Sequence, residues 1–135
     1  MSESFTLHPQ LAADTVELAR WPLSVVLLMD DARFPWLILV PQRPGLRDLH
    51  DVAPAEQGAL MAEIGRAGAL MKSVFRADKI NTAALGNQVP QLHIHVIARF
   101  TNDPAWPKPI WSVGQRQPMS EAERRQRTVL LRPEL

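Results

Sequence analysis

The segment Gln91-Leu92-His93-Ile94-His95-Val96-Ile97 alternates polar and apolar side chains, and this alternation restricts the folds that the chain can adopt. Successive side chains of a β-strand point to opposite faces of the sheet. A strand over 91–99 would therefore present Gln91, His93 and His95 on one face and apolar side chains on the other. A surface strand does not require two imidazoles in register, and a fully buried strand would avoid them. The pattern indicates a functional site built on a rigid sheet.

The chemistry of the two imidazoles is suited to attack on phosphorus. An imidazole, whose ordinary pKa is about 6.5, is largely neutral near neutral pH. It can attack through one ring nitrogen if a hydrogen bond holds the proton on the other. His95 lies one step along the same face as His93 and is able to give a proton to the phosphate or to the leaving group. The pair would then be a nucleophile beside an acid.

Two other interpretations of the histidine pair stay open on the residues alone. The side chains could belong to an ordinary surface, or they could bind a metal such as zinc. A zinc site needs a third protein ligand, and only His8, His50 or carboxylates remain for that role in a chain without cysteine. We therefore expect no bound metal and no cofactor.

The rest of the chain predicts a single α+β domain over residues 1–135. Apolar or alternating runs bounded by turn residues predict strands over 15–20, 24–29, 36–40, 79–85 and 91–99. Pro54 in a first turn, followed by apolar side chains at helical spacing up to Phe75, predicts one long helix. We expect a mainly antiparallel sheet with this helix packed on it.

The two ends of the chain are expected to be less regular. Pro9 limits regular structure before the first strand, and the segment 100–119, rich in proline and tryptophan, predicts an irregular chain packed on a surface. Ser120 and Glu123 have the spacing of a capping box, which predicts a short polar helix after that segment.

Composition excludes several classes of protein. A net charge of +1, from 15 basic and 14 acidic residues, lacks the basic character of a general nucleic-acid binder. The N-terminus does not have the pattern of a secretory signal, and apolar runs such as 25–29 are too short to span a bilayer. We expect a cytoplasmic protein that binds neither nucleic acid nor membranes.

Two segments resemble the histidine triad family. Residues 81–99 resemble its signature of three histidines alternating with hydrophobic residues, preceded by a glycine-containing loop and an asparagine-bearing strand. Residues 28–41 resemble its upstream part, in which one strand ends in an acidic residue and the next ends in proline before the helix. The order of elements matches as well, so the resemblance covers residues 24–99.

The resemblance implies nucleotide chemistry at particular residues. His93 would be the nucleophile that becomes a covalent nucleotidyl-histidine, and His95 would contact the phosphate. The remaining substrate contacts that it implies are Gln88, Asn87, Asn81 and Asp30. Asp30 matches a position that binds ribose hydroxyls, and it is explained equally well as a turn residue at a strand end.

The resemblance also implies a substrate class and an assembly. The expected reaction is hydrolysis or transfer at the α-phosphate of a small nucleotide conjugate, either a dinucleoside polyphosphate such as diadenosine polyphosphate or a nucleoside phosphoramidate. Its nucleophilic step needs no metal. The expected assembly is a homodimer in which two sheets join, with Trp106 or Trp111 touching a nucleotide, including one in the partner's site.

One residue departs from the family pattern, because Gln91 occupies the position of the first triad histidine. Glutamine donates and accepts hydrogen bonds but cannot hold a proton near neutral pH. Activity survives if this position only orients its neighbours, and it falls if the position must carry charge. The alternatives are therefore a non-catalytic nucleotide-binding or sensing module and a metal-binding regulator that uses His93 and His95.

The remaining charged and imidazole side chains have simpler interpretations. Arg43, Arg47 and Arg99 are interpreted as solvated charges, His50 as a structural residue at the foot of the helix, and His8 as an exposed residue.

Overall fold

The computed structural model describes residues 4–135, in which a five-stranded antiparallel sheet carries one long helix. The strands are β1 (Thr15–Arg20), β2 (Ser24–Met29), β3 (Trp36–Pro41), β4 (Lys79–Ala83) and β5 (Ile94–Arg99). The helices are α1 (Pro9–Asp14), α2 (Pro54–Phe75) and α3 (Glu121–Leu131), and short 3-10 turns lie at Leu49–Asp51, Ile110–Ser112 and Arg132–Glu134. The predicted α+β class is confirmed.

The strand that carries His95 lies inside the sheet. The strand order is β1-β2-β3-β5-β4, and neighbouring strands are antiparallel. β2 and β3 pair from Ser24–Pro41 to Leu28–Leu37, which confirms the antiparallel pair that their two apolar runs predicted. In β5, His95 pairs with Ile38 of β3 on one side and with Ala83 of β4 on the other. Both neighbours therefore fix the position of the imidazole.

The central strands are covered on both faces, which explains why their sequences are nearly continuous apolar runs. The face toward α2 holds a buried cluster that includes Leu28, Leu37, Leu60, Met71, Ile94 and Val96. The other face holds a second cluster that includes Leu11, Leu27, Phe34, Ile38, Ile97 and Ile110. Leu11 of α1 and Ile110 of the proline-rich segment show that the N-terminal segment and the proline-rich segment cover this second face. The alternating side chains of residues 91–99 thus lie on opposite faces of the sheet, with Ile94 and Val96 facing α2 and the histidines on the other face.

A buried ion pair fastens the proline-rich segment to the second face. Arg99 is 1% exposed, and its Nε donates to Oδ2 of Asp103 at 2.7 Å. The Arg99 guanidinium also donates to the backbone oxygen of Lys108 at 2.8 Å. Burial alone would raise the pKa of Asp103, but hydrogen bonds from Arg99 and from three backbone N–H groups of the adjacent turn lower it to about 2. Arg99 is therefore a paired core residue, and its interpretation as a solvated charge is wrong.

The N-terminal boundary of regular structure also differs from the prediction. Pro9 does not prevent helix formation, because it occupies the first turn of α1, where a missing N–H matters least. The Nδ1 atom of His8 caps this helix by accepting the N–H of Gln10 at 3.1 Å. The six-residue helix carries too few apolar positions to produce a helical pattern in the sequence.

The strand boundaries around the histidines are shorter than predicted. β4 ends at Ala83 instead of residue 85, and β5 begins at Ile94 instead of Gln91. Before β5, the N–H of Leu92 donates to the backbone oxygen of Leu46 at 3.0 Å, in the loop that leads to α2. The segment 91–93 therefore binds a loop where a strand was expected. The capping box predicted at the start of α3 is confirmed.

We expect Arg99→Met to lower the free energy of unfolding by about 3 kcal/mol, because it leaves the Asp103 carboxylate buried without its cation. Chemical denaturation of the variant measures this loss. The double variant Arg99→Met/Asp103→Asn should lose less than the single variant, since no unpaired charge remains. Arg20→Met is the matched control, because the Arg20–Glu17 pair is exposed and should contribute little. Equal losses at Arg99 and Arg20 would contradict the anchoring role.

Candidate active site

A cavity of about 630 Å³ opens on the sheet face opposite α2. Its walls come from β3 and β5, from the loop 85–89, and from the two chain segments that cover this face. His93, His95, Asn87 and Gln88 all line it. Small-molecule sites commonly have volumes of about 300–1,000 Å³. The structure therefore brings four of the predicted site residues together around a space of suitable size.

A backbone hydrogen bond fixes the tautomer of His93. The ring is 7% exposed and lies directly before β5. Its Nδ1 is 2.7 Å from the backbone oxygen of Gln91. A carbonyl oxygen can only accept, so Nδ1 must donate and therefore carries the proton. In the neutral ring the Nε2 lone pair is left available for attack on an electrophile.

A side-chain hydrogen bond fixes the opposite tautomer at His95. Nε1 of Trp36 donates to Nδ1 of His95 at 3.0 Å. An indole N–H is only a donor, so Nδ1 of His95 must accept and the ring proton lies on Nε2. Burial, and then the neighbouring charge of His93, lower the pKa of His95 to about 3. His95 is therefore neutral near neutral pH, and its Nε2–H is a hydrogen-bond donor.

Aromatic side chains hold the two imidazoles in place. The His93 and His95 ring centroids are 4.9 Å apart with an interplanar angle of 76°. Trp111 packs edge-on against His95 at 5.0 Å and against Trp36 at 6.0 Å. Trp106 lies instead beside the Arg99 guanidinium, 5.7 Å from it. Of the two tryptophans considered in the sequence, Trp111 is the one that lines the cavity of its own chain.

The loop before the histidines supplies amide side chains to the cavity. Gly86 has φ of +73°, a left-handed conformation that favours glycine, and an added Cβ would meet the backbone oxygen of Val89 at 3.4 Å. The turn that it allows brings Asn87 and Gln88 to the cavity wall. Their amide groups can donate to a bound anion.

The side chain of Gln91 does not contact His93 or His95 and binds the N-terminal segment instead. Its Oε1 accepts the backbone N–H of His8 at 2.8 Å, and its Nε2 donates to the backbone oxygen of Thr6 at 2.9 Å. Only the backbone oxygen of Gln91 contacts His93. The side chain at the first triad position thus fastens the N-terminal segment.

Two other predicted contacts also engage protein groups. Oδ1 of Asn81 accepts from Arg99 at 2.8 Å. Oδ1 of Asp30 accepts the N–H of Met119 at 2.8 Å, and Oδ2 lies 3.3 Å from a guanidinium nitrogen of Arg116. Neither Asn81 nor Asp30 is among the residues that line the cavity. Their carboxylate and amide oxygens hold the chain segments around the site, and the structure does not bring them to the histidines.

Sequence reasoning missed two residues that matter at the site. His8, expected to be exposed, is half-buried and lines the large cavity. Trp36, which opens β3, fixes the tautomer of His95. Trp36 lies near His95 because β3 pairs with β5, and the sequence does not reveal this pairing. The contact between Gln91 and His8 spans 83 positions of the chain, and no local pattern indicates it.

A smaller cavity of about 250 Å³ adjoins the first. It shares Leu85, Gly86 and His93 with the large cavity, and its outer wall includes Arg47 and the exposed His50. His93 therefore lies between two compartments.

Within residues 4–135, no group of three or more His, Cys, Asp or Glu side chains is arranged to hold a metal ion. His8, His93 and His95 line one cavity without forming such a group. In the same part of the chain, no helix combines the length and the apolar character that crossing a membrane requires.

Comparisons with known proteins point to one family. The family model described as HIT domain matches residues 10–102. The chain is similar to the solved structures of histidine triad proteins from Bradyrhizobium japonicum (43% identity, 98% of each chain covered, TM-score 0.94) and Marinobacter aquaeolei (42% identity, 98% of this chain and 97% of that chain covered, TM-score 0.95). A third, from Sinorhizobium meliloti, is 41% identical over 97% of each chain with a TM-score of 0.92. No curated protein sequence matches the chain.

We expect His95→Gln to reduce the dependence of stability on pH. The pKa of His95 falls from 6.5 to about 3 on folding. Between these values the unfolded chain takes up a proton that the folded protein does not. The contribution of His95 to the free energy of unfolding is therefore fully present above about pH 6.5. It falls by about 1.4 kcal/mol per pH unit as the pH is lowered toward about 3.

Urea unfolding at about pH 6.5 and about pH 4.5 measures this difference in slope. In His95→Gln, the free energy of unfolding should change less between these two pH values, because no proton is taken up at position 95 on unfolding. His50→Gln is the matched control, because that ring is exposed. Parallel pH profiles for the unaltered protein and His95→Gln would contradict a neutral, buried His95.

Proposed function

The chain belongs to the HIT domain family, whose members are generally nucleotide hydrolases or transferases, and from that premise we propose that it cleaves small nucleotide conjugates at the α-phosphate. The observation that carries this proposal is the opposite protonation of two adjacent imidazoles. His93 has its lone pair on Nε2, whereas His95 has its proton there. A nucleophile and an anion-binding donor thus line the same cavity.

In the proposed first step, Nε2 of His93 attacks the α-phosphorus. A nitrogen–phosphorus bond forms and the bond from phosphorus to the leaving group breaks. A leaving group that departs as an amine takes up a proton from solvent, and the second step returns that proton to solvent. The imidazole gains positive charge as it attacks. Its Nδ1–H donates to the backbone oxygen of Gln91, which stabilises that charge.

His95 stabilises the phosphate in the transition state. Its Nε2–H donates to a non-bridging oxygen while charge develops there, and the amides of Asn87 and Gln88 are further donors at the same wall. Because the pKa of His95 is about 3, this donor does not depend on titration near neutral pH.

In the second step, water attacks the phosphorus of the nucleotidyl-histidine. A phosphorus–oxygen bond forms as the water loses a proton to solvent, the nitrogen–phosphorus bond breaks, the nucleoside monophosphate leaves and His93 regains its lone pair. If another nucleophile replaces water, the same intermediate gives transfer in place of hydrolysis.

The two compartments suggest how a conjugate is accommodated. The large cavity has room for a nucleoside monophosphate, and the smaller one lies on the other side of His93 for the leaving group. Dinucleoside polyphosphates and nucleoside phosphoramidates both consist of two such parts joined at the α-phosphate. We propose these as the substrate classes, in a cytoplasmic homodimer.

One observation favours a second candidate, a non-catalytic nucleotide-binding module. The Gln91 side chain is engaged with Thr6 and His8 and is not available to the phosphate. If the first triad position takes part in the reaction, this chain would bind nucleotides without turning them over.

The covalent step can be tested by rapid quenching. Mixing the protein with a phosphoramidate labelled in the α-phosphate should trap label on the protein, and the label should survive alkali, be lost in acid and map to the peptide that contains His93. His93→Ala should abolish both label and turnover while changing nucleotide affinity little, since the residue acts mainly in the transition state.

His95→Ala should slow formation of the adduct without moving it. His50→Ala is the control, because His50 lies at the outer wall of the small cavity and should keep the label. Turnover that persists in His93→Ala would contradict the covalent mechanism. Tight nucleotide binding without turnover across both substrate classes would support the binding module.

A further inference from the structure

We propose that His8 is a third imidazole of the site and donates a hydrogen bond from Nε2 to a phosphate oxygen of the bound nucleotide, with Gln91 as the residue that positions it. The inference rests on the proposed function, since it assigns a contact to the same phosphate. It assigns roles to a histidine outside the triad motif and to the glutamine that departs from that motif.

A short chain of contacts links His8 to the nucleophile. The Gln91 side chain accepts the backbone N–H of His8 at 2.8 Å, and the backbone oxygen of the same Gln91 holds Nδ1 of His93 at 2.7 Å. Gln91 therefore holds the backbone of His8 with its side chain and the ring of His93 with its backbone oxygen. His8 lines the large cavity together with His93 and His95. His8 and the proposed nucleophile therefore face the same cavity, with Gln91 in contact with both residues.

The orientation of the His8 ring is also determined. Nδ1 accepts the N–H of Gln10 at 3.1 Å at the start of α1. A backbone amide can only donate, so the proton of the neutral ring lies on Nε2. Among residues 4–135, no hydrogen bond uses Nε2 of His8. His8 thus repeats the arrangement of His95, in which Nδ1 accepts from the protein and Nε2–H is a donor.

The positive charges that line the cavity are already paired with carboxylates, so a bound phosphate would need other hydrogen-bond donors. Two arginines line it, but both are paired: Arg33 donates to Asp31 at 2.8 Å, and Arg116 lies 3.3 Å from a carboxylate oxygen of Asp30. Asp14 also lines the cavity and lies 3.9 Å from Arg116. The uncharged donors on the cavity wall include the amides of Asn87 and Gln88 and the ring of His95, so a further N–H donor would add directly to the binding of a phosphate.

Glutamine is suited to holding the His8 segment. Its side chain has a donor and an acceptor side by side, so it binds the carbonyl of Thr6 and the N–H of His8 at the same time. These two bonds fix the backbone on either side of Leu7. Gln91, two positions before His93, thus holds the N-terminal wall of the cavity, which includes His8, Gln10 and Leu11.

The test compares binding of the common nucleoside 5′-monophosphates with binding of the matching nucleosides by calorimetry. Removing the donor in His8→Ala should weaken monophosphate binding by about tenfold or more and leave nucleoside binding unchanged, since a hydrogen bond to a charged group contributes about 1.5–3 kcal/mol. His8→Asn separates contact from folding, because asparagine can still cap α1 but is too short to reach the phosphate. It should show the same selective loss.

Gln91→Leu tests the positioning role. It should cause the same selective loss for monophosphates, and the double variant with His8→Ala should lose no more than either single variant. Additive losses would contradict positioning by Gln91. Full monophosphate affinity in His8→Asn, or equal weakening of nucleosides and monophosphates, would overturn the contact at His8.

The outcomes separate this inference from the proposed function. Phosphate-selective losses in a protein that never acquires label at His93 would overturn the hydrolase and leave the contact at His8 standing. Labelling at His93 with unchanged affinity in His8→Asn would overturn the contact alone. Failure of the unaltered protein to bind any monophosphate would overturn both.

Discussion

Two hydrogen bonds to Nδ1 atoms determine what the histidine pair can do. A carbonyl oxygen accepts a hydrogen bond from Nδ1–H of His93, and an indole N–H donates to Nδ1 of His95. Neither partner can reverse its role, so the two imidazoles are held in opposite tautomers. The outcome is one free lone pair and one N–H donor at adjacent Nε2 atoms. Without these partners both rings would exchange tautomers freely, and Nε2 of His93 would carry a lone pair only part of the time.

The fold supplies both partners through long-range pairing. Trp36 reaches His95 because β3 and β5 are neighbours at the centre of the sheet. The carbonyl of Gln91 reaches His93 because the chain leaves the strand pattern before β5 and binds the loop at Leu46. The proline-rich segment then covers the rings, held by the buried Arg99. The site is thus enclosed between the sheet and two irregular segments, which accounts for the low exposure of both histidines.

Local patterns predicted the framework of this protein but not its side-chain partnerships. The sheet, α2 and the α3 cap follow from alternation, helical spacing and a capping box, each of which is encoded by residues close in sequence. The alternation also predicted that His93 and His95 share a face. By contrast, Gln91 binds the chain near His8, 83 positions away. Asp30 and Arg99 likewise engage segments that only the folded chain brings near, so their roles could not be read from spacing. The family resemblance predicted His93 and His95 as site residues, whereas their hydrogen-bond partners became visible only in the structure.

The most direct test of the central claim is to observe the tautomers. Long-range proton–nitrogen correlation spectra of the ¹⁵N-labelled protein distinguish Nδ1–H from Nε2–H in each imidazole, and His93→Gln and His95→Gln assign the signals. Near neutral pH we predict that His93 carries its proton on Nδ1 and His95 carries its proton on Nε2, the arrangement that makes one ring a nucleophile and the other a donor. A His93 protonated on Nε2, or a His95 present as the imidazolium, would contradict it.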